Sequence, residues 1–335
     1  MGHRSGRATL QDVARAAGVS ASAASLALNG RDGVKEETRL RILAAARTVG
    51  YRRNASAPVR DRAVIGVIPT DLGNPYHTDV ITGIERHADA TGVAVVIAHG
   101  RRDSAHLERQ LQRMLAFGVD AVIVVSTWLP AAALEAVAAV VPVVVIGRMQ
   151  DPVPGTDSVR SDDEAGAALA VRHLFKLGHR TLAQVSLSHR PAQSSRRGGF
   201  LAECARLGLR DAAQLIGPEN VDVEIDRVLR RVRSGSSSAP TAIFAANDIA
   251  AVRVMHRAAD LKVSVPGQLS IVGYDSSAVA LTIRPHLSSI NQPREAMGRL
   301  AAKMAQERLD GRTHDSTLVV EPELRERAST AHKNA

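Results

Sequence analysis

The stretch TLQDVARAAGVSASAASLALNG, residues 9–30, sets the reading of the N-terminal part of the chain. Thr9 followed by Asp12 has the form of a capping box, in which both side chains satisfy free N–H groups of a helix's first turn. Leu10, Val13, Ala14 and Ala17 then recur at helical spacing and predict one apolar face. Gly18 predicts the stop and Val19 the turn. Ser20 predicts the N-cap of a second short helix, Ala21 to Leu28, closed by Asn29-Gly30. Two short helices joined by so tight a turn form a helix-turn-helix. A third helix, about Lys35 to Val49, offers Ile42, Leu43, Ala46 and Val49 as its apolar stripe. Residues 1–53 are thus expected to fold as a small all-α head.

Charge is distributed to match. Residues 1–60 hold 11 Lys/Arg and 4 Asp/Glu, a balance of +7, so the other 275 residues supply only +2 of the net +9. A basic head on a nearly neutral body points to one segment that meets a polyanion. The chain of 335 residues is 45% hydrophobic and 23% charged, which is globular rather than disordered composition. Cys204 is the single cysteine and has no intrachain partner, which suits a reducing compartment. No run approaches the ~18 apolar residues of a membrane span. The basic N-terminus lacks the apolar core of a secretion signal. The expected location is the cytoplasm, with no membrane partner.

From Ala63 the grammar changes. Apolar runs at 64–69, 93–98, 121–126, 143–147, 182–186, 242–247 and 270–275 alternate with helical patterns around 77–91, 104–117, 163–177, 195–207, 248–260 and 294–310. Such alternation predicts parallel sheets covered on both faces, here in two doubly wound α/β lobes. Ligands of these folds bind at the carboxyl ends of strands, so two facing lobes create a cleft. The sequence offers no Gly-x-Ser-x-Gly elbow, phosphate loop, dinucleotide glycine fingerprint or His-Glu-x-x-His helix. The 12 histidines are scattered without metal-ligand spacing, and His173 and His179 read as surface positions flanking a helix end. No catalytic residue, metal or cofactor is expected.

The strings at 9–30 and 38–57 (TRLRILAAARTVGYRRNASA) resemble the N-terminal domain of the LacI/GalR family of bacterial transcriptional regulators. DLGNPYHTDVITGIERHADATG (71–92), DDEAGAALAVRHLFKLGHRTLAQVS (162–186), PTAIFAANDIAAVRVMHRAADLKVSVPGQLSIVGYDSS (240–277) and HLSSINQPREAMGRLAAKMA (286–305) extend the likeness through the body, whose fold periplasmic sugar-binding proteins share. The resemblance implies a helix-turn-helix DNA-binding domain (1–53), a hinge (54–62) and an effector-binding and dimerisation domain (63–330). Lobe one would comprise about 63–160 and 290–318, and lobe two about 161–289 and 319–330. The second helix would lie in the major groove, with Thr9, Ser20, Ser25 and Asn29 on phosphates and Ala21, Ser22 and Leu26 facing base edges. Tyr51, Arg52, Asn54, Val59 and Arg60 would contact DNA around the hinge.

The chain also departs from the family. Leu26 stands where many members carry arginine, and Pro58 and Arg60 occupy the hinge where the family has helix formers and a leucine wedge. Phosphate contacts and DNA shape are then expected to carry more of the affinity. In the body, the resemblance implies an effector site of Asn74, Tyr76, Ser126, Arg148, Arg196, Asn247, Asp275 and Gln292. Tyr76 and Trp128 are the candidates to stack on a sugar ring. The expected function is a repressor, working as a homodimer on near-palindromic operator DNA and controlled by a carbohydrate-like small molecule. A corepressor-dependent or activating member, and a ligand-binding receptor without DNA, are the alternatives.

Overall fold

The computed structural model describes residues 9–28, 33–49, 62–125 and 129–333. Three helices open it: α1 (Leu10–Ala17), α2 (Ala21–Leu28) and α3 (Glu36–Thr48). Their common core is small, with Val13, Ala17, Ala24, Ala27 and Ile42 buried together. Alanines at the inward positions of α2 let it approach α1 and α3 closely, which leaves its other face to solvent.

The body consists of two six-stranded sheets. The first contains β1 (Val64–Pro69), β2 (Ala94–Ile97), β3 (Ala121–Val125), β4 (Val143–Ile146), β5 (Thr156–Ser161) and β11 (Thr317–Val320), in the order β11-β5-β4-β3-β1-β2. All its pairings are parallel. The second contains β6 (Leu182–Val185), β7 (Ala213–Ile216), β8 (Ala242–Ala245), β9 (Ser270–Asp275), β10 (Ser288–Asn291) and β12 (Glu323–Arg325), in the order β12-β10-β9-β8-β6-β7. Only β12 runs antiparallel, against β10.

Helices cover both faces of each sheet. On the first, α4 (Pro75–Thr91) and α12 (Arg294–Leu309) bury one face, and α5 (Ser104–Phe117) and α6 (Ala131–Ala138) the other. β1 therefore alternates, with Ile65 and Val67 facing one core and Val64 and Ile68 the opposite one. On the second sheet, α9 (Val221–Arg233), α10 (Asp248–Asp260) and α11 (Ala278–Thr282) face α7 (Asp163–Lys176) and α8 (Pro191–Arg206) across the strands. The chain passes between sheets at 161–163, 291–294 and 320–323.

Several elements differ from the sequence expectation. Strand β11 (TLVV) was not expected although it is apolar, and β5 and β10 were not expected because their residues are polar. Their polarity is matched by partners: Asp157 in β5 is fully buried against Arg308 and Arg312, and Ser288 in β10 bonds Thr330 and Arg327. Helix α9 was also missed, although Val221, Ile225, Val228, Leu229 and Val232 recur at helical spacing and are buried. His173 and His179 are corrected from surface to interior positions. The C-terminal segment after β12 covers them, with His173 bonded to Thr330 and His179 to Thr241, Ser270 and the Ala331 carbonyl. An acceptor-only carbonyl at Nε2 makes that nitrogen the donor, and burial pushes both histidines below their ordinary pKa.

Helices α4 and α12 cross at backbone contact. A Cβ on Gly83 would stand 2.1 Å from the Glu295 carbonyl oxygen, and one on Gly298 would stand 2.0 Å from that of Val80. Glycine is required there because two helix backbones, rather than movable side chains, occupy the space. Gly298→Ala is expected to lower stability by about 1–3 kcal/mol through forced separation of the helices. Denaturant unfolding checks this, and an unchanged midpoint would contradict the packing.

Candidate nucleic-acid interface and inter-lobe cleft

In the head, the capping box is formed. The Asp12 amide donates to Thr9 Oγ1 at 3.3 Å, and the Thr9 amide donates to Asp12 Oδ2 at 2.8 Å. These bonds from Thr9, with Arg15 nearby, hold the Asp12 carboxyl below its ordinary pKa. Gly18 closes α1 at φ 65°, where a side chain would be strained. Ser20 caps α2 by accepting from the Ala23 amide at 3.1 Å, and its hydroxyl lies 3.0 Å from that of Ser22. Ala21 and Ser22 are exposed, whereas Ser25 and Leu26 are half-buried. The face turned to solvent at the start of α2 is therefore small side chains, a hydroxyl and the positive end of the helix, which suits phosphate oxygens and thymine methyl groups. The expected contacts Asn29, Tyr51, Arg52, Asn54, Val59 and Arg60 lie outside the described residues.

In the body, a chain of charged side chains joins the lobes. Arg196, on the first turns of α8, is buried and donates from Nε to Asp163 Oδ1 at 2.9 Å and from Nη1 to the Ala246 carbonyl at 2.6 Å. Its guanidinium lies 3.7 Å from the centre of the Tyr274 ring and, through Nη1, 3.9 Å from Asp275 Oδ1. Arg148, after β4 in lobe one, donates from Nε to the other oxygen of Asp163 at 3.3 Å. Gln292, just past β10, donates to Asp275 at 2.7 Å. Tyr76 is buried at the start of α4, close enough to Asp275, Arg196 and Asp163 for their charges to bear on its phenol. Lobe-one and lobe-two residues thus converge.

Two asparagines act as caps. Asn247 accepts from the Ala250 amide at 2.8 Å and begins α10, and Asn74 accepts from the Tyr76 amide at 3.1 Å and begins α4. The cap of α10 is therefore Asn247 and not Asp248. The Asp248 carboxylate instead holds the Ser277 amide at 2.7 Å, the Ser277 hydroxyl at 2.9 Å and the Ser289 hydroxyl at 2.6 Å. Gly273 leaves room for it, since a Cβ there would stand 2.5 Å from Asp248 Oδ1. Ser126 and Trp128 lie outside the described residues. Tyr274 and Phe244 are core residues, and Tyr274 is also the platform under Arg196.

The electrostatics follow from burial. Burial disfavours the charged form of Arg196, but Asp163, Tyr274 and Asp275 more than compensate and hold its guanidinium above its ordinary pKa. Burial pushes Asp275 up to about 7, Arg196 pulling it down and Asp248 adding to the rise. Asp275 also sits at φ 110°, a region other residues avoid, so its carboxyl is held at a strained backbone position. Burial and the Asp275 charge raise the Tyr76 phenol, leaving it a neutral hydrogen-bonding group.

Sequence reasoning missed Asp163 and Arg294. Asp163 looked like an ordinary acidic residue in a first helical turn. Arg294 bonds Asp79 of α4 at 2.8 Å, the Ser276 carbonyl at 2.9 Å and Asn291 at 3.3 Å, and so ties lobe one to two loops of lobe two. Among the described residues no group of His, Cys, Asp and Glu could hold a metal ion, and no helix is long and apolar enough to cross a membrane.

Comparison with known proteins covers both parts. Residues 9–54 match the family of bacterial regulatory proteins, lacI family, and residues 171–330 match the periplasmic binding protein-like domain. Catabolite control protein A of Priestia megaterium is 30% identical over 324 residues, 94% of this chain and 96% of its own length. The HTH-type transcriptional repressor PurR of Erwinia tasmaniensis is 29% identical over 336 residues, 97% of each chain. The solved complex of the transcriptional regulator CelR with cellobiose is 26% identical, with a TM-score of 0.67 over 96% of this chain and 100% of that one. A capped helix-turn-helix, two lobes crossed three times and 30% identity to catabolite control protein A over nearly the full length place the chain in the lacI family of bacterial regulatory proteins.

Proposed function

We propose that the chain is a homodimeric transcriptional repressor whose operator affinity is set by a neutral, polyhydroxylated small molecule held between the lobes. The observation that carries the ligand class is the set of polar atoms, on residues around the Arg196–Asp275 pair, that have no protein hydrogen bond among the described residues. Arg196 Nη2, Asp275 Oδ2, the Asn247 amide nitrogen and the Tyr76 hydroxyl are such atoms. A mixture of donors and acceptors, with every formal charge already countered inside the protein, suits hydroxyl groups better than an ion. The cellobiose in the CelR complex supports the same class.

A dimer has a surface to use. Val223 on α9, Ile249 at the start of α10 and Leu281 on α11 are exposed, and Asp222–Arg253 and Asp226–Arg257 ion pairs hold α9 beside α10. Effector binding would alter how the lobes close and so the spacing of the two heads, a coupling typically worth 1–3 kcal/mol and necessarily reciprocal. Catalysis has no part in this reading, and the protein acts in the cytoplasm with its DNA.

Arg196→Ala tests the cleft. It removes a charge-assisted donor from a shielded site, an interaction worth roughly 1.5–3 kcal/mol, or a ten- to hundredfold weaker effector response. Operator affinity without effector should stay the same. Operator binding is titrated against a panel of mono- and disaccharides for both proteins, with thermal melts to establish folding. A folded variant that responds normally contradicts the assignment.

Asp275 supplies the pH dependence. Its native pKa of about 7 lies above the ordinary 3.8, so between these values the folded protein binds the extra proton and stability falls as pH rises. Asp275→Asn stays neutral and is expected to lose less stability than the wild type between pH 5 and 8. Denaturant unfolding across that range reads the difference, and parallel curves would contradict it.

A further inference from the structure

Asp275, the cleft carboxylate at the end of β9, opens a turn in which it and Ser276 both take positive φ, 110° and 49°. Such a turn persists only where its surroundings over-determine it. Lobe two supplies part of the hold. The Ser276 amide donates to Ser289 Oγ at 3.0 Å, Ser276 Oγ accepts from Arg327 at 2.8 Å, and Asp248 holds Ser277. The Ser276 carbonyl is held from lobe one instead, accepting from Arg294 Nη2 at 2.9 Å.

Arg294 is the first residue of α12, and its base is rigid because α12 meets α4 at backbone contact through Gly83 and Gly298. Its side chain is 13% exposed, and all three of its nitrogens are used. Nε donates to Asp79 of α4 at 2.8 Å, and Nη1 donates to the Gln292 carbonyl at 3.2 Å and to Asn291 at 3.3 Å. The side chain of the same Gln292 donates to Asp275 Oδ1 at 2.7 Å. Asp275 is thus tied to Arg294 twice, through its carboxyl by way of Gln292 and through its backbone by way of Ser276.

We propose that Arg294 is the positioning residue that couples Asp275 to lobe one, so that the angle between the lobes and the placement of this carboxyl change together. It acts through Gln292 and Ser276. Acceptors on three sides match the planar fork of arginine, whereas a lysine keeps the charge but serves them as a compact point donor. The charge at 294 also bears on the Asp275 and Asp248 carboxyls, so a lysine variant separates fork from charge. Arg148–Asp163 is a second contact across the lobes, and losing Arg294 therefore loosens them rather than freeing them. What the angle controls rests on the effector reading. The coupling itself needs no ligand, so a failed sugar titration and a failed distance measurement are told apart.

The test reads the distance between lobes in the full-length protein without ligand. Spin labels are placed on Arg113→Cys of α5 and Ala202→Cys of α8, both exposed positions, while the native Cys204 is buried and escapes labelling. Dilution with unlabelled protein isolates pairs within one chain. The otherwise unaltered protein is expected to give a single narrow distance distribution. Arg294→Lys and Asp79→Asn are each expected to lose that narrow peak, whereas Arg299→Lys, at an exposed position of the same helix, keeps it. Thermal melts establish folding, and if Arg294→Lys does not fold, Asp79→Asn alone decides. A merely structural Arg294 would lower the melting midpoint and leave the distribution narrow, which overturns the proposal. So does broadening in a folded Arg294→Lys without broadening in Asp79→Asn, because the strut then has no anchor on α4. Equal broadening in Arg299→Lys, or a broad distribution before any of these changes, overturns it as well.

Discussion

A guanidinium cannot be taken out of water without replacing what water gave it. Arg196 is 6% exposed, and the architecture around it supplies that replacement. Asp163 comes from the first residue of α7, directly after the chain has crossed from lobe one. The Ala246 carbonyl comes from the end of β8, and Tyr274 from β9. Glycine makes the approach possible: a Cβ on Gly199 would meet the Glu164 carbonyl oxygen at 2.6 Å, and one on Gly166 would meet the Tyr274 hydroxyl at 2.5 Å. Arg148 reaches the same Asp163 from lobe one, so the carboxylate that stabilises the buried cation also joins the lobes. Removing one partner of such a group leaves an uncompensated charge, typically at a cost of 3–5 kcal/mol. The polar side chains around Arg196 are thus oriented by contacts within the protein.

This explains what the sequence could disclose. The wholly apolar, largely β-branched strands, β1 and β3 among them, were legible because parallel strands buried on both faces need no polar residues. The head was legible because caps and glycine stops are local: Thr9, Asp12, Gly18 and Ser20 each act within a few residues of themselves. β5 and β10 were not legible, since Asp157 and Ser288 are acceptable inside only by virtue of Arg312 and Thr330, which are far away in sequence. The same applies to His173 and His179, whose burial depends on the last residues of lobe two.

The candidate site divides along the same line. Arg196, Asp275 and Gln292 could be placed by motif, and the geometry brings them together. Asp163 could not, because its role comes from an arginine 33 residues on. Arg294 was hidden for a related reason: its partner Asp79 lies 215 residues away in the sequence, and its other bonds, to Ser276 and Asn291, cross the lobe junction. Local grammar reveals elements, while pairings that close the cleft are long-range and appear only in three dimensions.

The central claim is that a basic helix-turn-helix, presented twice by a dimeric effector-binding body, reads DNA. The most direct measurement is selection of bound duplexes from a random pool by the full-length protein, followed by affinity against salt for the enriched sequence. The account predicts an inverted repeat whose half-sites are separated by about one helical turn or a multiple of it. It also predicts affinity falling steeply with salt as phosphate contacts release counterions. No enrichment over the starting pool, or enrichment of a lone half-site bound by a monomer, would contradict it.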